Sequence, residues 1–166
     1  MGTLIGNGSH GTDIWRTLNH KKWDWMAHHS YYLYDGGTYI VGINDPHLRR
    51  DVADKIGGFD RKWVHPHAYV QDTTLETGVH VNYGVTMTRT YVESGTTISP
   101  GVTICGGVYI GSLVLIGAGA TICDRVTIYD DVTVGAGCVV LPESRVDMGA
   151  TIIGVPARYA DGRPVK

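Results

Sequence analysis

The residues able to do chemistry crowd into the first half of the chain. Gly6-Asn7-Gly8-Ser9-His10-Gly11 has the form G-x-G-x-x-G and follows a short apolar run. The segment after it places Ile14, Trp15 and Leu18 on one side of a helix. Strand, glycine turn and helix N-terminus together hold an anionic ligand, because free N–H groups and the helix dipole converge on it. A bare strand-to-helix turn would use the same residues, and the motif alone does not separate the two. The His10 ring inside the turn needs a polar partner, which favours a ligand. Asp35 stands 24 residues after Gly11, near the spacing of a ribose-binding carboxylate. All 8 histidines lie at or before position 80. None is left to complete a ligand set with Cys105 and Cys123, so no metal site is expected.

These residues need a scaffold, and the sequence suggests one. Residues 31–34 read as a strand ending at Asp35, Gly36-Gly37 as a turn and residues 39–42 as a second strand. Residues 46–57 read as a helix, with Pro46 in its first turn, Asn44 or Asp45 as cap and Gly57 as its stop. Together they make a β-α-β-β-α unit over residues 1–62. It is shorter than half a dinucleotide-binding domain, so NAD is not expected.

Residues 63–166 follow a different rhythm. Ile98, Ile104, Ile110, Ile116, Ile122, Ile128, Val134, Val140, Val146 and Ile152 recur every sixth position. A helix would repeat near 3.6 and a two-faced strand every second residue. A period of six with a glycine-rich bend fits short strands wound into a solenoid. Tyr69, Leu75, Val81 and Met87 carry the same rhythm less regularly. One residue is missing somewhere in 88–97, which reshapes one corner. Three units per coil would stack Cys105 under Cys123, about 4.8 Å apart. Pro156 helps cap the open end.

The net charge is −2 and no run of Lys or Arg exists. Capture of nucleic acid or an anionic membrane is therefore not expected. No apolar stretch approaches the roughly 20 residues that span a bilayer. The start of the chain lacks a signal-peptide pattern, so a cytoplasmic location is expected.

The repeat resembles the left-handed parallel β-helix of the hexapeptide-repeat acyltransferases. LIGNGSHG at 4–11, YIVGINDPHLRR at 39–50, VHPHAYV at 64–70 and the closing GVPAR at 154–158 narrow the resemblance. They are similar to the sialic acid O-acetyltransferase and bacillosamine-pathway N-acetyltransferase family. That resemblance implies a mainly β fold, with a small truncated Rossmann-like domain before the β-helix. It also implies a homotrimer, with acetyl-CoA as co-substrate in a groove between β-helices and a sugar or nucleotide sugar as acceptor. The implied acetyl-CoA positions are Thr97, Gly106, Ala118 and Ala136. The implied nucleotide-sugar positions are Gly8, Ser9, His10, Asn44 and Asp35.

The chain departs from that pattern at the catalytic unit. The family places a basic histidine and then an acid where this sequence has Arg89 and Thr90, and a second histidine where it has Thr97. A guanidinium stays protonated and cannot act as a base. Losing a general base costs about 10²–10⁴ in rate. His80 and His67 are the nearest histidines in sequence. His80 lies half a coil from Arg89 and is expected as a surface residue. Tyr91 is a weaker base, with an ordinary pKa near about 10. Arg89 suits an anion or an interchain hydrogen bond. Two functions follow: an acetyltransferase with altered catalysis, or a non-catalytic homotrimeric scaffold reusing the fold.

Overall fold

The computed structural model describes residues 2–5, 23–26, 38–41, 45–55, 58 and 61–165. From Trp63 the chain winds through about five turns of a parallel β-solenoid with three flat faces, matching the left-handed β-helix. The first face holds Trp63–Val64, His80–Val81, Thr97–Ile98, Leu115–Ile116, Thr133–Val134 and Thr151–Ile153. The second holds Tyr69–Gln71, Thr86–Thr88, Thr103–Ile104, Thr121–Ile122 and Val139–Val140. The third holds Thr74–Leu75, Thr90–Val92, Val108–Ile110, Thr127–Ile128 and Arg145–Val146. Six of these strands are a Thr followed by Ile or Val, as in Thr103–Ile104 and Thr127–Ile128. The Thr suits the outer surface and the aliphatic residue the pleated inner one.

Inside, each aliphatic position stacks on its equivalent one coil away. Ile98 pairs with Ile116, and Ile104 with Ile122. Ile104, Ile116 and Ile128 are fully buried. The residue four places later, such as Val102, Val114 or Val126, also points inward and is fully buried. Backbone groups bond between coils, as Thr103 N–H does to Ala120 O at 3.0 Å and Thr121 N–H to Cys138 O at 2.8 Å. Cys105 and Cys123 stack as expected, with Cys105 N–H bonded to Ile122 O at 2.9 Å.

The phase of the early coils differs from the expected one. Val70, not Tyr69, pairs with Met87 and through it with Ile104. Tyr69 is 56% exposed. The interval from Val70 to Leu75 is therefore short by one residue, as is that from Met87 to Val92. Two coils are short rather than one, and both lose their residue at the corner between the second and third faces. A full corner there uses Gly106 and Gly107. The short ones turn on a single residue each, Asp72 at φ 49° and Arg89 at φ 47°.

The C-terminal end is closed by more than Pro156. Arg158–Tyr159 turns back antiparallel on Thr151–Ile153. Buried Tyr159 accepts a hydrogen bond from Asp147 N–H at 3.2 Å. At the other end, Gly2–Ile5 lies between Trp23–Met26 and Thr38–Val41 in a parallel three-stranded sheet. The strand at Trp23–Met26 was not expected, and the expected strand at 31–34 lies outside the described residues. The helix runs Pro46–Lys55, and Asp45 caps it by accepting Leu48 N–H at 2.8 Å. Gly57 lies outside the described residues.

Replacing Ile116 by Ala removes a fully buried side chain from the middle of the stack. We expect a loss of about 2–5 kcal/mol in denaturant unfolding. Thr151→Val, on the exposed side of the first face, is expected to stay within about 0.5 kcal/mol.

Candidate functional site

The corner between the second and third faces carries a column of polar side chains. Arg89 is its single-residue turn. Its N–H bonds Gln71 O at 3.0 Å, and its carbonyl accepts Gly107 N–H at 2.8 Å. The side chain is exposed and folds over Gly106 on the next coil. A Cβ at Gly106 would stand 2.5 Å from Arg89 Nη2 and 2.9 Å from Nε. Gly106 is therefore the seat of the guanidinium. One coil further, Asp124 Oδ1 accepts Gly106 N–H at 3.1 Å. Arg125 then pairs with Glu143 at 2.7 Å. Among the described residues, Arg89 has no ion pair or side-chain hydrogen bond. Thr90 is buried, and its hydroxyl donates to Thr88 O at 3.0 Å. It is committed to the backbone and does not orient a neighbour.

The other expected acetyl-CoA positions lie elsewhere on the prism. Ala118 and Ala136 stack on the corner between the first and second faces, where Gly137 N–H bonds Ala118 O at 2.9 Å. Both are exposed. Thr97 lies on the first face between His80 and Leu115. It is fully buried, and its hydroxyl has no hydrogen-bond partner. One chain thus brings Ala118 and Ala136 together, but holds Gly106 a full face away. Gly8, Ser9, His10, Asp35 and Asn44 lie outside the described residues.

His80 is not a surface residue. It is 1% exposed, with its ring edge-on to Trp63 at 6.2 Å between centroids. The outward position on this face is covered here, which a repeat pattern cannot reveal. His67 is exposed, and together with His65 it surrounds Tyr83, with ring centroids 5.8 and 5.3 Å away. His65 Nδ1 accepts His67 N–H at 3.1 Å. This aromatic group sits at the start of the first-to-second corner, away from Arg89.

The third face holds a column that sequence reasoning missed. The Tyr91 and Tyr109 rings stack in parallel, 5.9 Å apart. Tyr91 donates to Glu76 at 3.0 Å. Tyr109 donates to Glu93, which also accepts Ser112 Oγ at 2.7 Å. The bond to Glu93, then burial, pushes the Tyr109 hydroxyl up to about 12. Tyr91 is raised for the same kind of reason, through Glu76. Neither phenol is a base near neutrality. The coil length holds the signal for this column, since residues 18 apart share a position. Burial, then Asp124 and Cys123, push the Cys105 thiol up. Among the described residues, no group of three or more His, Cys, Asp or Glu could hold a metal. Among the same residues, no helix is long and apolar enough to cross a membrane.

Residues 89–124 match the family model for the bacterial transferase hexapeptide, six repeats. The solenoid is a hexapeptide-repeat β-helix. The fold is similar to that of a mutant perosamine N-acetyltransferase from Caulobacter crescentus, solved with CoA and GDP-perosamine. That match has a TM-score of 0.76 and 24% identity over 95% of each chain. It is similar to the acetyltransferase domain of PglB from Neisseria gonorrhoeae, solved with acetyl coenzyme A. There the TM-score is 0.71 and the identity 20%, over 95% of this chain and 98% of that one. WeeI from Acinetobacter baumannii matches at a TM-score of 0.77 and 12% identity, over 96% of this chain and 99% of that one. No curated protein matches the chain.

Two measurements check this geometry. Gly106→Ala meets only the movable end of Arg89, so its cost is expected to stay below about 1 kcal/mol. A Cβ at Gly117 would stand 2.5 Å from the backbone nitrogen of Ala136. Gly117→Ala is therefore expected to cost about 1–3 kcal/mol in the same unfolding assay. The Tyr109 hydrogen bond, with its pKa raised to about 12, stabilises the fold fully below about pH 10 and fades as pH rises through 12. In an absorbance titration, Glu93→Ala should return one tyrosine toward about pH 10. An unchanged curve would remove the assigned cause.

Proposed function

We propose that this chain is an acyltransferase of the acetyl-CoA-dependent kind, acting on a sugar or nucleotide sugar through a site that lacks the histidine base. The observation that carries the reading is the extent of the fold match. It spans 95% of this chain and 95% of a sugar N-acetyltransferase solved with CoA and a sugar nucleotide.

A homotrimer belongs to this reading. Gly106 and the pair Ala118 and Ala136 flank the second face, and none of its five strands carries a charged residue. Exposed Tyr69 and Leu141 add apolar area at its two edges. An uncharged flat face is suited to self-association. Packing it against a neighbour would bring one chain's Gly106 corner toward the other's alanine corner. Residues 1–62 form the acceptor-binding domain in this reading, with Gly8, Ser9, His10, Asn44 and Asp35 on the nucleotide. The proposed compartment is the cytoplasm.

The guanidinium seated on Gly106 favours a second reading. A permanent cation stands where the transferase family needs a base, and Thr90 is tied to the backbone. The same solenoid would then serve as a homotrimeric scaffold that binds without catalysing.

Calorimetry separates the two. The transferase reading expects acetyl-CoA to bind saturably, one per subunit, to a protein that sediments as a trimer. Arg89→His should then raise thiol release in the presence of sugar nucleotides by about 10²–10⁴. Failure of both proteins to bind acetyl-CoA would leave the scaffold.

A further inference from the structure

We propose that Arg89 is a carboxylate-recognising residue, so that one of the two substrates carries a carboxylate near the group being transferred. The inference rests on the transferase reading and adds a substrate class to it.

The argument starts from the backbone. A left-handed conformation costs a residue with a Cβ about 1–2 kcal/mol, and Arg89 holds it at φ 47°. The turn is pinned on both sides, by Arg89 N–H to Gln71 O at 3.0 Å and Gly107 N–H to Arg89 O at 2.8 Å. The side chain therefore leaves the corner in a fixed direction and lies over Gly106, where no Cβ intervenes. The pinned root sets where the stem starts, and the glycine floor leaves the guanidinium room to lie along the next coil.

Among the described residues the cation has no partner, although acids stand in the same column. Asp124 is bound to Gly106 N–H and Glu143 to Arg125. Asp72, one coil before Arg89, forms no ion pair with it. The nearest acids thus leave a planar fork of N–H donors unmatched.

The surroundings select among anions. An arginine fork pairs with carboxylate or phosphate, but helix-terminus and nest sites for phosphate gather several converging N–H groups as well. Here the N–H groups of Arg89, Gly106 and Gly107 are all spent inside the corner. The next cation, Arg125, is held by Glu143 through Nε at 3.0 Å and Nη2 at 2.7 Å. One planar monocation remains, and a planar monoanion with two oxygens is its match. The carboxylate belongs either to the acyl donor, as in a dicarboxylic acyl-CoA, or to the acceptor, as in a sugar acid.

Calorimetry on the full chain with four probes tests this: acetyl-CoA against succinyl-CoA, and UDP-glucose against UDP-glucuronate. In one of the two pairs the carboxylated member should bind about ten- to a hundredfold more tightly. The pair that discriminates identifies donor or acceptor as the source. The preference should vanish in Arg89→Gln. Arg89→Lys keeps the charge and the stem but loses the fork, and should retain only a small part of it. Equal affinities within both pairs, with acetyl-CoA bound, would overturn the inference and leave the transferase reading standing. So would a preference unchanged in both variants, or inorganic phosphate abolishing the preference at millimolar concentration. Absence of binding by all four probes would overturn both readings.

Discussion

Each coil of the solenoid must turn three times, and from the second coil on each turn between faces uses one residue with positive φ in register with the coils beside it. The stack of aliphatic side chains depends on that register. A corner that gained or lost phase would carry every later Ile and Val off the inner surface. The three corners meet the requirement differently. Between the first and second faces the position is glycine at Gly84, Gly101, Gly119 and Gly137, and the first coil turns through residues 65–68 without a positive φ. Between the second and third faces it is Asp72, Arg89, Gly107, Arg125 and Glu143. The strained conformation is stabilised there by the surrounding ladder of backbone hydrogen bonds, which frees four side chains to project as charges. One corner is smooth and the other bears function-capable groups.

The two missing residues fall on the charged corner. Shortening a turn from two residues to one leaves its single residue held between two extended strands, Thr86–Thr88 and Thr90–Val92. The next coil has the full turn but spends it on Gly106 and Gly107. A short turn carrying a long side chain, followed by a full turn carrying none, produces a notch in the ridge with a guanidinium lying in it. Above the notch the ridge resumes with Asp124, Arg125 and Glu143, already satisfied among themselves and with the backbone. The local chemistry at Arg89 thus follows from coil length as much as from residue type.

The solenoid was legible because its period is enforced at every rung. Inward Ile and Val cannot slip without exposing apolar surface, so they repeat in the sequence. The early phase was misjudged at Tyr69 because Val70 beside it is equally strand-like, and only pairing with Met87 decides between them. His80 was misjudged because the pattern marks which side a residue faces, not what covers it. The stacking of Cys105 and Cys123 was legible, being a pure consequence of the 18-residue coil. The Tyr91–Tyr109 column and its two glutamates obey the same rule. They went unseen because outward positions vary in type and announce no period. The seat of Arg89 on Gly106 depends on side-chain direction at a left-handed turn, which spacing does not encode.

The protons available near Arg89 bear on what such a corner can do. Tyr109 is pushed up to about 12, and the Cys105 thiol is raised by burial and by Asp124. His80 is enclosed on the first face, and His67 stands on another corner. A hydroxyl attacking a thioester must lose its proton as the bond forms, because a neutral alcohol is a poor nucleophile. An amine attacks through a lone pair that is free in its neutral form. With a pKa near about 8, roughly a tenth of it is neutral at pH 7. It can shed the proton to water after the bond is made. Under the transferase reading, the lack of a base at this corner among the described residues would weigh far more heavily on hydroxyl acceptors than on amines. In the transferase reading, a cation that orients one substrate against the other would recover part of the rate by positioning, which needs no proton transfer.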